Sequence, residues 1–314
     1  MTPIPFTQLQ SLIIDMDGVL YRLHTPIAGA AEFLQFLRQM GKRFLLVTNN
    51  STLTIAQYVD KLASMGIAVS AEDILTSGEA TAMYLAGVAP GGTRVYVIGE
   101  NGLRVALQKR GFVLADDADV AYVVAALDRQ LTYDKLKTAS LAIRAGARFI
   151  GTNPDKTLPT EVGLIPGAKA ILAALEVATG TAPLIIGKPE PAMLELALQK
   201  LRAEPETTAI VGDGLETDIP GGQRLGLMTI LVLSGVTAPE QLARSPLQPD
   251  LVYPDIAALH RAWAEALGPS KSPSRGTGTP PLGLRPPGRT ASRHQLAGTP
   301  SSVPGGGGEG RTAK

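Results

Sequence analysis

Four short apolar runs each end abruptly in polar residues, and a helix-like pattern follows each of them. The run at 11–14 stops at Asp15-Met16-Asp17-Gly18, and the run at 44–47 stops at Thr48-Asn49-Asn50-Ser51. The run at 184–186 stops at Gly187-Lys188-Pro189, and the run at 208–211 stops at Gly212-Asp213-Gly214-Leu215-Glu216-Thr217-Asp218. Short apolar runs bounded by turn formers read as buried strands. Residues 28–40 and 54–65 carry apolar positions at helical spacing, with Gly41 and Gly66 as stops. Residues 190–201 open with Pro191 near the first helical position, and 216–225 follow the last acidic loop. Strands alternating with helices predict an α/β fold with a parallel sheet and crossover helices.

A second α/β unit lies between the second and third runs. Residues 94–98, 120–125 and 148–151 are strand-like; Thr132 caps a predicted helix to about 145, and 166–178 reads as another helix. The division expected is a discontinuous core at 1–79 and 184–267, an inserted domain at 80–183 and a tail at 268–314.

Composition narrows the class. The chain has 314 residues, 45% hydrophobic and 18% charged, which suits a globular protein. Aromatics at 4% are too sparse for base-stacking platforms, so no specific nucleic-acid partner is expected. There is no cysteine, which excludes disulfides and thiolate chemistry and fits a cytoplasmic location. The first residues lack a basic segment followed by an apolar one, so no signal peptide is expected, and no apolar run is long enough to span a membrane. The net charge of +1 conceals an asymmetry. The tail carries two Lys and five Arg against one Glu, a net +6, which leaves −5 for the rest. Rich in Gly, Pro, Ser and Thr, the tail reads as disordered, with a basic arm that attracts polyanions as the sharper alternative.

The strand ends supply the chemistry. Side chains alternate along a strand, so Asp15 and Asp17 leave on the same side and are candidates to share one pocket. Two close carboxylates favour a bound cation, or a split into one ionised and one protonated group. Together the four ends offer acids, a hydroxyl, amides and one lysine, the inventory of a metal-assisted phosphoryl site. His24, His260 and His294 are isolated, so a zinc site is not expected.

In Asp15-Met16-Asp17-Gly18, Thr48-Asn49-Asn50, Lys188-Pro189 and Gly212-Asp213 with Asp218, the chain resembles the haloacid dehalogenase superfamily of aspartate-nucleophile phosphatases. Thr48-Asn49-Asn50-Ser51, Gly151-Thr152-Asn153-Pro154-Asp155, Gly187-Lys188-Pro189 and Thr217-Asp218-Ile219 are similar to its NagD-like branch, which includes 4-nitrophenylphosphatases and phosphoglycolate phosphatases. The resemblance runs from about 12 to about 267, and Gly214 departs from it where relatives often carry a larger polar residue. It implies a Rossmann-like core with an inserted α/β cap, and a Mg²⁺-dependent phosphatase acting on a small phosphorylated metabolite through an aspartyl-phosphate.

On that resemblance Asp15 is the nucleophile and Asp17 the general acid and base. Thr48, Asn49, Asn50 and Lys188 hold phosphate, and the metal set is Asp15, the carbonyl of Asp17, Asp213 and, through a water, Asp218. The second acid at Asp17 favours phosphate esters over haloacids, because halide leaves without a proton. Asn153, Asp155 and Thr157 are the specificity candidates in the cap, with Asp128 and Arg129 a weaker pair. Caps of the branch also take part in dimer contacts, which allows a homodimer. A non-catalytic phospho-ligand binding or regulatory protein on the same fold is the alternative, and it predicts a missing nucleophile or acid.

Overall fold

The computed structural model describes residues 5–268; the predicted tail falls outside them apart from its first residue. A six-stranded sheet is parallel throughout, in the spatial order Leu251–Tyr253, Met228–Val232, Thr208–Gly212, Ser11–Asp15, Arg43–Thr48, Ile74–Thr76. The chain starts in the middle, builds outward on one side, then returns to build on the other. The reversal falls between Ser11–Asp15 and Thr208–Gly212, and such a switch point opens a crevice at the carboxyl ends of the strands. Register aligns those ends: Ile14 sits beside Val211 and Leu46, and Asp15 beside Val47.

Both faces of this sheet are covered. Leu12, Ile14 and Leu46 pack under the helices Ala30–Gln39, Ile55–Ser64 and Ile256–Ala266. Ile13, Leu45, Val47 and Ile210 pack on the other face with the helix Pro191–Leu201. That second cluster continues without a break into Val95, Val97, Tyr122 and Val124 of another sheet, so the two units share apolar packing.

The inserted sheet is also parallel, in the order Leu184–Ile185, Arg148–Gly151, Tyr122–Ala125, Arg94–Ile98, Val113–Ala115. Here the structure corrects the expectation that the run at 184–186 is a core strand: Leu184 pairs with Ile150 and Ile185 with Gly151. The helix Ala168–Thr179 crosses over from Arg148–Gly151 and returns the chain beside the strand it left, the ordinary route for a parallel crossover. The boundary expected at 79/80 is likewise not a break, because the helix Ser77–Val88 runs through it. Two hairpins complete the fold, Tyr21–Arg22 with Thr25–Pro26 and Thr157–Thr160 with Gly163–Pro166. Among the described residues no helix is long and apolar enough to cross a membrane.

Helix starts follow the local chemistry. Thr54 caps Ile55–Ser64 in a reciprocal box with Gln57, and Thr132 caps Tyr133–Arg144 through Lys135 N.

Candidate active site

The strand Ser11–Asp15 ends with Asp15 buried at the switch point. The chain turns away through Gly18, whose φ of +79° lies in the region that favours glycine. Thr208–Gly212 delivers Asp213, and five residues on Asp218 opens the helix Asp218–Arg224. Asp15, Asp213 and Asp218 each offer an oxygen within 4.8 Å of the others. Lys188 reaches into this cluster with its Nζ 2.6 Å from Asp15 Oδ1 and 2.6 Å from Asp218 Oδ1. Asp17 stands half-buried beside the cluster and outside the three-carboxylate set.

Three buried carboxylates face one buried ammonium, and that imbalance governs the electrostatics. Burial raises Asp15 well above the usual carboxylate range, against the opposing pull of Lys188. Burial and then the charge of Asp218 push Asp213 up to about 7. Burial disfavours the Lys188 ammonium, but Asp15 and Asp218 outweigh it and hold the proton on. Asp17 is raised chiefly by burial, with Lys61 lowering it. A buried site with excess negative charge and several carboxylate oxygens fits a hard divalent cation.

The loop that follows Met228–Val232 was not anticipated, although it too is polar residues ending an apolar run. Val236 N donates to Asp213 Oδ2 (2.6 Å), Thr237 Oγ1 donates to Asp213 O (2.5 Å), and Ser234 Oγ donates to Gly18 O (2.6 Å). Gly214 adjoins the acids. Its N donates to Asp218 Oδ2 (3.0 Å), and a Cβ there would stand 2.0 Å from Thr217 Oγ1.

The second strand end is held by its own side chains. Thr48 is buried and accepts from Asn50 N (3.1 Å). The Asn50 side chain closes a local turn, accepting from Thr52 N (2.9 Å) and Thr52 Oγ1 (2.8 Å). The Asn49 side chain bonds both main-chain groups of Lys188 and also Asp155 Oδ1. Both side-chain amides are engaged within the protein, and Asn50 N is donated to Thr48, which leaves the Thr48 hydroxyl and the Asn49 main-chain amide for that task.

The candidates on the inserted sheet divide. Asn153 is buried and donates to Asn49 O (2.7 Å), and Asp155 faces Lys188 and Asp218, with burial raising its pKa. Thr157 is exposed at the start of a hairpin. Asp128 and Arg129 lie apart from the acids, around a cavity of about 760 Å³ at the ends of Arg94–Ile98 and Tyr122–Ala125. There Asp128 pairs with Lys135 (2.7 Å) and Arg129 with Glu100 (2.6 Å). His24 is exposed, and His260 packs on Phe36 with ring centroids 4.6 Å apart, away from the acids.

Comparison with known proteins agrees with this geometry. Residues 12–113 match the family described as haloacid dehalogenase-like hydrolase, and residues 185–259 match a HAD-hydrolase-like family. The chain is 42% identical over 247 residues to an acid sugar phosphatase of Staphylococcus saprophyticus, covering 79% of this chain and 95% of that protein. It resembles the solved 4-nitrophenylphosphatase of Thermotoga maritima at 37% identity and TM-score 0.79, covering 83% and 99% of the two chains. It also resembles NagD of E. coli at 36% identity and TM-score 0.74, covering 79% and 97%. The strand ends, the acid cluster and these likenesses agree: the chain belongs to the haloacid dehalogenase-like hydrolases, in their NagD-like branch, and is a phosphoric monoester hydrolase.

Proposed function

We propose that the protein hydrolyses small phosphate monoesters, sugar phosphates among them, with Asp15 as nucleophile and Mg²⁺ as cofactor. The observation that carries the reading is the buried triad of carboxylates bridged by Lys188, at 2.6 Å from both Asp15 and Asp218. Relatives named acid sugar phosphatase and 4-nitrophenylphosphatase support the substrate class. A glycerol phosphate phosphatase of Mycobacterium tuberculosis, 32% identical with TM-score 0.76, was solved in complex with magnesium. The cysteine-free composition suits a reducing cytoplasm.

Asp15, the carbonyl of Asp17 and Asp213 are the groups that would hold the metal, with Asp218 supporting them from behind. The cation supplies charge that offsets the repulsion between a carboxylate and a phosphate dianion. An Asp15 carboxylate oxygen attacks phosphorus, and the bond from phosphorus to the ester oxygen breaks. Asp17, whose pKa burial raises against the opposing pull of Lys61, gives its proton to that oxygen as the alcohol leaves. Water then attacks the phosphorus of the aspartyl-phosphate; Asp17 takes its proton, and Asp15 and inorganic phosphate are released. Lys188 holds positive charge against Asp15 and the transferring group throughout. The Thr48 hydroxyl, held by Asn50 N, and the main-chain amide of Asn49 are assigned to the phosphate oxygens.

The inserted sheet with its hairpin is the unit we assign as cap. Of its candidates, Asp155 is the one we assign to reading the leaving group, because its Oδ2 accepts no hydrogen bond from the described residues. Asn153 is engaged with Asn49. Nothing in the site favours the non-catalytic alternative, since nucleophile, acid and lysine are all in place.

The test is phosphate release from 4-nitrophenyl phosphate and from a panel of sugar phosphates, with chelator and with added Mg²⁺. Metal-dependent turnover that Asp15→Asn abolishes is expected. Undiminished turnover in chelator, or in Asp15→Asn, overturns the reading.

A further inference from the structure

The segment that carries Lys188 is hydrogen-bonded into the cap sheet before it reaches the catalytic acids. Leu184 and Ile185 pair with Ile150 and Gly151. Ile186 N then donates to Gly151 O (3.0 Å) and Gly187 N to Thr152 O (2.8 Å). Lys188 follows at once, and its ammonium spans Asp15 and Asp218 of the core. The ammonium therefore acts on one unit while its backbone is anchored in the other. Displacement of a catalytic group by about 1 Å costs on the order of 10²-fold in rate, so this crossing has to be fixed.

One side chain fixes it. Asn49 ends the core strand Arg43–Thr48 and grips both main-chain groups of Lys188: Oδ1 accepts from Lys188 N (2.9 Å), and Nδ2 donates to Lys188 O (2.9 Å). The other hydrogen of Nδ2 goes to Asp155 Oδ1 (2.9 Å) in the cap loop. The Asn49 carbonyl receives Asn153 Nδ2 (2.7 Å) and the Ser77 hydroxyl. Both donors of the carboxamide are engaged, and the residue is 7% exposed. Gly187 makes the approach possible, because a Cβ there would stand 2.7 Å from Asn49 Oδ1 and 2.6 Å from Thr152 O.

We propose that Asn49 is a positioning residue for the phosphatase reaction, seating Lys188 on Asp15 and Asp218 and tying the same lysine to the cap loop through Asp155. No close substitute does this. Aspartate has no donor for Lys188 O or Asp155, and alanine reaches neither. The inference rests on the phosphatase reading, in which Asp15 and Lys188 take part in the reaction.

Steady-state kinetics on 4-nitrophenyl phosphate test it, with Asp15→Asn as the control for the reading beneath. Asn49→Ala is expected to lower kcat by about 10²-fold with KM changed by less than about threefold, the signature of a misplaced transition-state group. Asp155→Asn, whose amide oxygen still accepts from Asn49, keeps more of the kcat than Asp155→Ala. Gly187→Ala lowers kcat by wedging the same junction, and it decides the matter if Asn49→Ala does not fold. A wild-type kcat in Asn49→Ala or in Gly187→Ala overturns the proposal. So does a loss confined to KM, which would make the Asn49 side chain a phosphate ligand, or equal losses in the two Asp155 variants. Full activity in Asp15→Asn overturns the underlying reading; its inactivity beside a fully active Asn49→Ala overturns this inference alone.

Discussion

Gly18 and Asp213 share a space that admits no further atom: a Cβ on Gly18 would stand 2.2 Å from Asp213 Oδ2. Gly18 also sits at φ +79°, where an L side chain costs about 1–2 kcal/mol. Gly18→Ala is therefore expected to lower stability by about that amount and to weaken Mg²⁺ binding further, by displacing an assigned ligand. Thermal denaturation and calorimetric titration with Mg²⁺ measure the two effects separately. Unchanged metal affinity in a folded variant would remove Asp213 from the metal set.

Asp17→Asn is expected to slow hydrolysis by about 10²–10⁴-fold, the usual worth of a general acid and base. The loss is smaller for 4-nitrophenyl phosphate than for an alkyl phosphate, because nitrophenolate leaves with little help from a proton. Comparing kcat/KM for the two esters checks this. Equal losses would mean that Asp17 acts in some other way.

Burial gives the metal-free protein a dependence on pH. The Asp213 pKa is about 7 in the fold against an ordinary 3.8, so the folded state binds the proton more tightly than the unfolded chain. The resulting stability is fully present below about pH 4 and is lost as pH rises through about 7. In chelator, the melting temperature is expected to fall between pH 5 and pH 8 by more in the wild type than in Asp213→Asn. Added Mg²⁺ restores more at pH 8 than at pH 5, since it binds the ionised carboxylate. Parallel pH profiles for the two proteins would refute the assignment.

Asp155→Asn keeps the contact to Asn49 but replaces the carboxylate oxygen proposed to read the leaving group with an amide. It is expected to lower kcat/KM for sugar phosphates relative to 4-nitrophenyl phosphate by about tenfold, within the usual range for one differential contact. A substrate panel measured on both proteins checks the ratio. One common factor across all substrates would move the specificity residues elsewhere in the cap.

Much of this arrangement is legible in the sequence because strand ends carry their chemistry on contiguous residues. Asp15, Asp213, Asp218 and Lys188 meet as the ends of three of the apolar runs suggest, and helix starts at Thr54 and Thr132 follow local capping rules. Pairing partners are not local. The residues at 184–186 look equally apolar whichever sheet receives them, and only the crossover from Arg148–Gly151 decides. Short edge strands such as Ile74–Thr76 and Leu251–Tyr253 carry too few residues to show a period. The bonds of the Asn49 and Asn50 side chains are not legible either, because side-chain amides serve turns and long-range clasps equally well, and their partners lie up to 139 residues away.

The strand Leu184–Ile185 bears on how such enzymes can be recombined. An exchange of caps between relatives that cuts at 183 would sever Lys188 from the sheet that anchors it and leave a foreign strand Arg148–Gly151 to receive a native edge. The transferable module runs instead through Lys188, with Asn49 as the socket it must fit. Chimeras joined after Lys188 should inherit the donor's lysine placement together with its selectivity, so the two properties would travel as one unit.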